Sequence, residues 1–222
     1  MTSDVNQPVG VQPTDPSLLQ EQEPKRARRS KVAARDARKA ILEAAATLFY
    51  REPVESVSLD RLADHAGLHK MSIYRNYGSR AALVQAYAGW LCERERAHWR
   101  EVAHRAGDEP VAYLRELFID LARRMSSDSY RGCRLHLLAR QFPDDTHPVR
   151  LTLAEHERAF HGLLRRLAAA AEVVDADGLA DTLMLLWEGA TLNLRSDSES
   201  RRVAQRLPTL ADRTIRSYGC GT

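Results

Sequence analysis

Between Gly67 and Ser79 the chain reads GLHKMSIYRNYGS, and those residues hold Lys70, Ser72, Tyr74, Arg75 and Asn76 with no acid among them. Lysine and arginine donate to guanine or to phosphate, serine and asparagine hydrogen-bond either, a tyrosine hydroxyl reaches phosphate, and Met71 can touch a thymine methyl. This is the chemistry of holding and reading a polyanion, in which no bond is made or broken. No HExxH, GxSxG or phosphate-loop pattern and no paired carboxylates on a pocket face occur in the 222 residues, so no catalytic residue and no enzymatic activity are expected. His136, His147 and His156 with Cys133 match no established ligand spacing; no metal and no cofactor are expected.

Presenting those side chains requires a helix with one face anchored. Ile73 and Tyr77 are four apart and can pack on Leu62 and on an earlier helix, which turns Lys70, Met71, Ser72, Tyr74 and Arg75 outward and leaves Asn76 at the edge. Before this segment, Ser58 can cap a helix whose Leu59, Leu62, Ala63 and Ala66 face inward, with Val57 and Leu62 as a hydrophobic staple and Gly67 in the left-handed position after its end. An earlier helix, over about Arg35 to Tyr50, carries Ile41, Leu42, Ala45, Leu48 and Phe49 on one face and is closed by Pro53. Three helices, the last two joined by a tight glycine turn, make a helix-turn-helix: the second braces across the backbone and the third lies in the major groove. Ser58 with the first amides of its helix, and Ser79 with Arg80 at the next, are placed to grip phosphate.

Charge supports the same reading. Residues 1–24 hold four acids and no Lys or Arg, residues 25–80 hold 13 basic and six acidic residues, and residues 81–222 hold 20 of each. A basic excess confined to one quarter of the chain is an electrostatic footprint for nucleic acid. Residues 1–30 lack a periodic apolar face and are expected to be a disordered extension ending in a basic arm, whose Arg26, Arg28 and Arg29 could enter an adjacent minor groove. No apolar run nears the length needed to span a bilayer and no signal-peptide core precedes the basic block, so a cytoplasmic protein is expected. Cys92, Cys133 and Cys220 are far apart and suggest idle thiols.

The stretch ILEAAATLFYREPVESVSLDRLADHAGLHKMSIYRNYGSRAALVQA resembles the N-terminal domain of the TetR-type (TetR/AcrR-like) transcriptional regulators, in the order apolar first helix, capping Ser, Leu-Ala, Ala-Gly, Ser-x-Tyr, aromatic, Ser, Arg, Ala-Leu. The resemblance implies that residues 31–80 are the DNA-binding domain, that Lys70, Met71 and Ser72 sit where the family reads bases, and that Tyr74, Asn76 and Arg80 sit where it holds phosphate. Several positions depart from the family pattern: His69 stands where a small polar cap is common, Met71 where Gly or Pro is frequent, Arg75 and Asn76 where other residues are usual, and the usual Gly after the first helix is missing, with Pro53 in that loop. RGCRLHLLARQFPDDTHPVR also resembles a recurring segment of the family's regulatory domain.

Residues 81–222 contain Leu- and Ala-rich periodic segments and few β-branched runs, so the fold class is all-α with about nine helices: the helix-turn-helix domain, then a helical ligand-binding and dimerisation domain. The helix from Ser79 is expected to reach about His104 as a strut between them. By the resemblance, the last two helices form a homodimer, with Leu183, Leu186, Leu194, Val203, Leu207 and Leu210 as interface candidates, and the interior binds a small-molecule effector. Polar and aromatic residues on inward faces, Trp90, Tyr113, Phe118, His136, His156, Phe160 and Trp187, are the pocket candidates. The expected function is a homodimeric regulator, a repressor released from a palindromic double-stranded DNA operator by its effector. An effector-independent architectural DNA binder and a small helical enzyme are the alternatives.

Overall fold

The computed structural model describes residues 22–107, 109–192 and 198–219. Among these residues there are nine α-helices and no strand: α1 (Gln22–Leu48), α2 (Leu59–His65), α3 (Lys70–Tyr77), α4 (Arg80–Ala106), α5 (Pro110–Met125), α6 (Arg134–Ala139), α7 (Pro148–Ala170), α8 (Ala176–Leu192) and α9 (Ser198–Ser217), with a 3-10 turn at Val54–Ser56. The expected all-α class and helix order are observed. At the N-terminus, helix α1 starts at Gln22, whereas the sequence suggested about Arg35 with a disordered extension through residue 30. Ala, Arg, Lys and Glu dominate that stretch, and strong helix formers carry a helix beyond its buried face without further packing. Arg26, Arg28 and Arg29 lie in this helix; their side chains, and residues 1–21, are outside the described residues.

Helix ends follow local chemistry. The Ser58 hydroxyl accepts from the Arg61 amide at 3.1 Å and the Ser79 hydroxyl from the Ala82 amide at 3.1 Å, which satisfies first-turn donors of α2 and α4. Between α2 and α3, Gly67 takes φ 66, and Leu68 donates from its amide to the Ala63 carbonyl at 2.9 Å. A left-handed residue there turns the chain sharply enough to aim α3 away from α2. Glu109 caps α5 through both carboxylate oxygens, and Pro148 starts α7 where its missing N–H costs nothing.

Two apolar cores result. One gathers Ile41, Leu48, Phe49, Val57, Leu62 and Ile73 with the first half of α4, and with Leu138, Val149 and Leu153 from α6 and α7. The other gathers Trp99 and Val102 from the second half of α4 with the inner faces of α5, α7, α8 and α9. Helix α4, 27 residues long and so about 40 Å, therefore contributes to both cores, as a strut should. The first core does not stop at residue 80: Leu83 and Tyr87 are fully buried within it, so the N-terminal unit is finished by residues of the helical part that follows.

Candidate nucleic-acid interface and interior cavity

Helix α3 is held from behind. Ile73 and Tyr77 are buried, and the Tyr77 hydroxyl donates to the Arg38 carbonyl on α1 at 3.0 Å. Arg38 returns the contact: its guanidinium lies 4.6 Å from the Tyr77 ring centroid and donates to the Asn76 carbonyl at 2.5 Å. Arg38 went unrecognised in the sequence because its partner is 38 positions away; a lone arginine in a basic run gives no local sign of it.

With that face fixed, His69, Lys70, Met71, Tyr74 and Arg75 are exposed and Ser72 is half-buried at the rim. Lys70 is joined to Asp60 on α2 at 2.9 Å, and this hydrogen bond raises the pKa of its ammonium. Arg61 is likewise engaged by Glu52, at 2.5 and 2.7 Å. His69 occupies the cap position of α3 without a side-chain capping bond, and its carbonyl accepts from the Ser72 amide at 2.7 Å.

Three residues expected to grip phosphate are otherwise occupied. The Arg80 side chain folds back to donate to the Val54 carbonyl and lies 3.9 Å from Glu55, which ties the start of α4 to the 3-10 turn. Asn76 donates from its amide to the Ser72 carbonyl at 2.7 Å, one helical turn back. Ser58 is committed as the α2 cap. Ser58 and Arg80 are expected there from their places at helix starts and Asn76 from the family resemblance, and neither ground reveals that a neighbouring carbonyl or amide is a closer partner than solvent.

The second feature is a cavity of about 530 Å³ lined by the end of α1 and the turn after it, α4, α5, the 127–136 segment, α7 and α8. His136, His156, Phe160 and Trp187 line it. The other three pocket candidates do not: Trp90 stacks on Tyr87 at 6.1 Å in the first core, Tyr113 donates to the Trp99 carbonyl at 2.8 Å, and Phe118 is fully buried edge-on to Trp187 at 5.7 Å. An inward-facing aromatic ring is thus as often filler as lining, and periodicity cannot separate the two. Trp99 itself was missed, although it forms the floor, stacking on His156 at 4.7 Å and lying 5.0 Å from Phe160.

Electrostatics differ around the wall. Burial pushes the His156 imidazole down to about 4, so it is neutral near pH 7. Burial also lowers the pKa of His136, against the pull of Glu157 and Glu188. Glu95 and Arg124 pair at 3.1 Å, and Arg124 also lies 3.2 Å from Asp120. Asp120 is buried and anchors His98 at 2.5 Å and Arg105 at 2.8 Å, which binds α4 to α5 behind the cavity. Among the described residues no three His, Cys, Asp or Glu side chains converge as a metal-holding group, and no helix is long and apolar enough to cross a membrane.

Cavity and DNA-reading unit meet at the C-terminal end of α1. Thr47, Tyr50 and Arg51 form part of the cavity wall. The Tyr50 hydroxyl donates to the Gly132 carbonyl at 3.0 Å and accepts from the Arg131 amide at 2.5 Å. Arg134 lies 3.7 Å over the Tyr50 ring and donates to the Ala46 carbonyl at 2.6 Å.

On the outer face, the dimer candidates divide. Leu183 and Leu207 are buried within the core of their own chain, because they share faces with Leu179 and with Ala204 and Ala211; this corrects their assignment to an interface. Leu186 is partly buried against the same core, and Leu194 lies outside the described residues. Val203 and Leu210 are exposed, as are Leu185 and Leu192.

Residues 41–87 match the family model described as "Bacterial regulatory proteins, tetR family". The HTH-type transcriptional regulator TtgR of Pseudomonas putida is 29% identical over 126 residues, 55% of this chain and 60% of its own length. The chain thus matches about three fifths of that curated relative. A TetR-family transcriptional regulator from Streptomyces coelicolor superposes with a TM-score of 0.75 at 22% identity, covering 82% of this chain and 96% of that one. AibR, crystallised with isovaleryl coenzyme A and operator DNA, superposes with a TM-score of 0.58 at 15% identity, covering 78% of this chain and 97% of its own. At these identities the two structures establish a shared fold.

Proposed function

We propose that the chain is a TetR-type transcriptional regulator and, within that family, a cytoplasmic homodimeric repressor released from a palindromic operator when a small molecule occupies the cavity; the match of residues 41–87 to the family model and the similarity to TtgR support this. The observation that carries this reading is the shared wall: the last turn of α1, which belongs to the DNA-reading unit, is also a side of the 530 Å³ cavity. Volume in that range suits a drug-sized molecule. A fold relative bound to both an acyl coenzyme A and its operator supports the coexistence of the two sites on one such chain.

In this reading α3 enters the major groove with Lys70, Met71 and Ser72 towards base edges and Tyr74 towards phosphate, while Arg75 flanks the groove. Release requires the effector to bind the non-reading geometry more tightly than the reading one; equal affinity for both would shift nothing. Helix α4 carries the change, since its two halves belong to different cores.

The test is selection of bound fragments from a genomic DNA pool, followed by binding of the best palindrome to the wild type and to Lys70→Ala and Tyr74→Ala. Each variant should lose about tenfold in affinity or more, with the oligomeric state unchanged. Unchanged affinity in both would overturn the assignment of α3, and indifference of the wild type to sequence would favour an architectural DNA binder.

A further inference from the structure

We propose that the cavity selects an organic cation with a flat apolar body, the charge held between Glu157 and Glu188 and the body lying on the rings of Trp99, Phe160 and Trp187. The proposal rests on the reading of this cavity as an effector site and specifies the chemical class it takes.

The apolar wall is a continuous series of rings: Trp99 stacks on His156, lies 5.0 Å from Phe160, and Phe160 lies 4.5 Å from Trp187. Ring faces of this kind attract a cation as well as apolar surface. Glu157 on α7 and Glu188 on α8 both line the cavity with His136, both pull against the lowering of its pKa, and neither forms an ion pair among the described residues. A neutral His136 leaves the two carboxylates uncompensated, and half-buried carboxylates without a partner favour an incoming positive charge.

The lining cations do not offer the opposite site. Arg124 is hydrogen-bonded to Glu95 at 3.1 Å and lies 3.2 Å from Asp120, although its Nε makes no hydrogen bond, and Arg134 is committed to the Ala46 carbonyl and the Tyr50 ring. Arg51 and Arg131 are exposed, where solvent and salt screen them. Glu157 and Glu188 are therefore the lining charges that have neither an ion pair nor full exposure.

Independent signs that the cavity is built for a ligand come from its buried polar atoms. His156 is 5% exposed and Trp99 8%, yet His156 Nδ1 and Trp99 Nε1 have no hydrogen-bond partner, and the Tyr130 hydroxyl and His136 Nδ1 are in the same position. All four residues line this cavity. Buried polar groups are nearly always partnered, so four on one wall mark a surface shaped for a molecule that enters it.

10-Methylacridinium and anthracene-9-carboxylate, planar three-ring ions of similar size and opposite charge, separate charge from fit. With DNA-free protein, binding is read as quenching of tryptophan fluorescence and as displacement of the neutral dye Nile red. The cation should bind at least tenfold more tightly than the anion, and Glu157→Gln with Glu188→Gln should bring the two within about threefold while Nile red uptake persists. Equal or tighter binding of the anion, or a cation preference that survives the double substitution, overturns the proposal. Uptake of Nile red with neither ion displacing it overturns the ligand class and leaves the effector cavity standing. Failure of the wild type to take up Nile red overturns the cavity as an effector site, and the proposal with it.

Discussion

Asp60 engages the ammonium of Lys70 on the exposed side of α3. The two side chains are exposed and 2.9 Å apart, so the ammonium proposed to reach a base edge is already engaged by a carboxylate that would face phosphate once α3 is docked. Exposed pairs in water are weak and give way to better partners, but the negative charge of Asp60 stays near the duplex. Asp60→Asn should therefore tighten operator binding several-fold at low salt, with the gain shrinking as salt rises. Fluorescence anisotropy of labelled operator across a salt series would show this, and equal affinities at low salt would place Lys70 away from the DNA. The donor types on α3 were legible because helical spacing alone selects the outward positions. The pairing was not, because it depends on the angle set by Gly67 at φ 66.

His156 makes a second residue-scale prediction, with a definite sign. Its imidazole has an ordinary value of 6.5 and is held at about 4 in the fold by burial. Above pH 6.5 both folded and unfolded chains hold it neutral and its stabilising effect is complete. As pH falls below 6.5 the unfolded chain takes up a proton that the folded chain refuses, so stability declines until about pH 4, by on the order of 3 kcal/mol. His156→Phe keeps a ring beside Trp99 and removes this slope. Urea unfolding at pH 7 and pH 4.5 should show a smaller acid loss in the variant than in the wild type; equal losses would mean that other groups account for all of it.

At the scale of elements, the junction between α1 and the 130–134 segment is where the two proposed sites touch. Tyr50 supplies one hydroxyl to both the Gly132 carbonyl and the Arg131 amide, so a shift of the cavity wall moves the last turn of α1. Helix α1 also holds α3 in place through Arg38 and Tyr77. Tyr50→Phe leaves ring and packing in place and removes only this bridge, at a cost of about 1–2 kcal/mol in stability. If the bridge sets the orientation of the reading helix, operator affinity should change at least threefold although Tyr50 is not on the DNA-facing side. A stability loss without any change in operator affinity would make the bridge structural only. The helices themselves were readable from apolar periodicity and from caps such as Ser58 and Ser79. What escaped the sequence was the partnership between Tyr50 and Arg134, 84 positions apart and joined only by the fold, and the N-terminal reach of α1, where helix formers continue without an apolar face to mark them.

At the scale of the whole molecule, operator reading by a palindrome requires two α3 helices about one helical turn of DNA apart, and so a two-fold axis. Helices α8 and α9 each bury one face in their own core and leave apolar side chains on another: Leu185 is 71% exposed, Leu192 54%, Val203 37% and Leu210 41%. Within each helix the two residues are seven apart and share a face, and the charge introduced by a glutamate there would be opposed by its own copy across an isologous interface. Leu185→Glu with Leu210→Glu should therefore give a monomer by analytical ultracentrifugation with its helical circular dichroism intact, because neither side chain belongs to the core. Binding to the full palindrome should fall by about 100-fold or more, since two linked heads raise each other's effective concentration, while the weak binding of one head to a half-site persists. Loss of helical signal would show that these residues support the fold of a single chain. A variant that stays dimeric and keeps its operator affinity would place the two-fold contact elsewhere on the molecule.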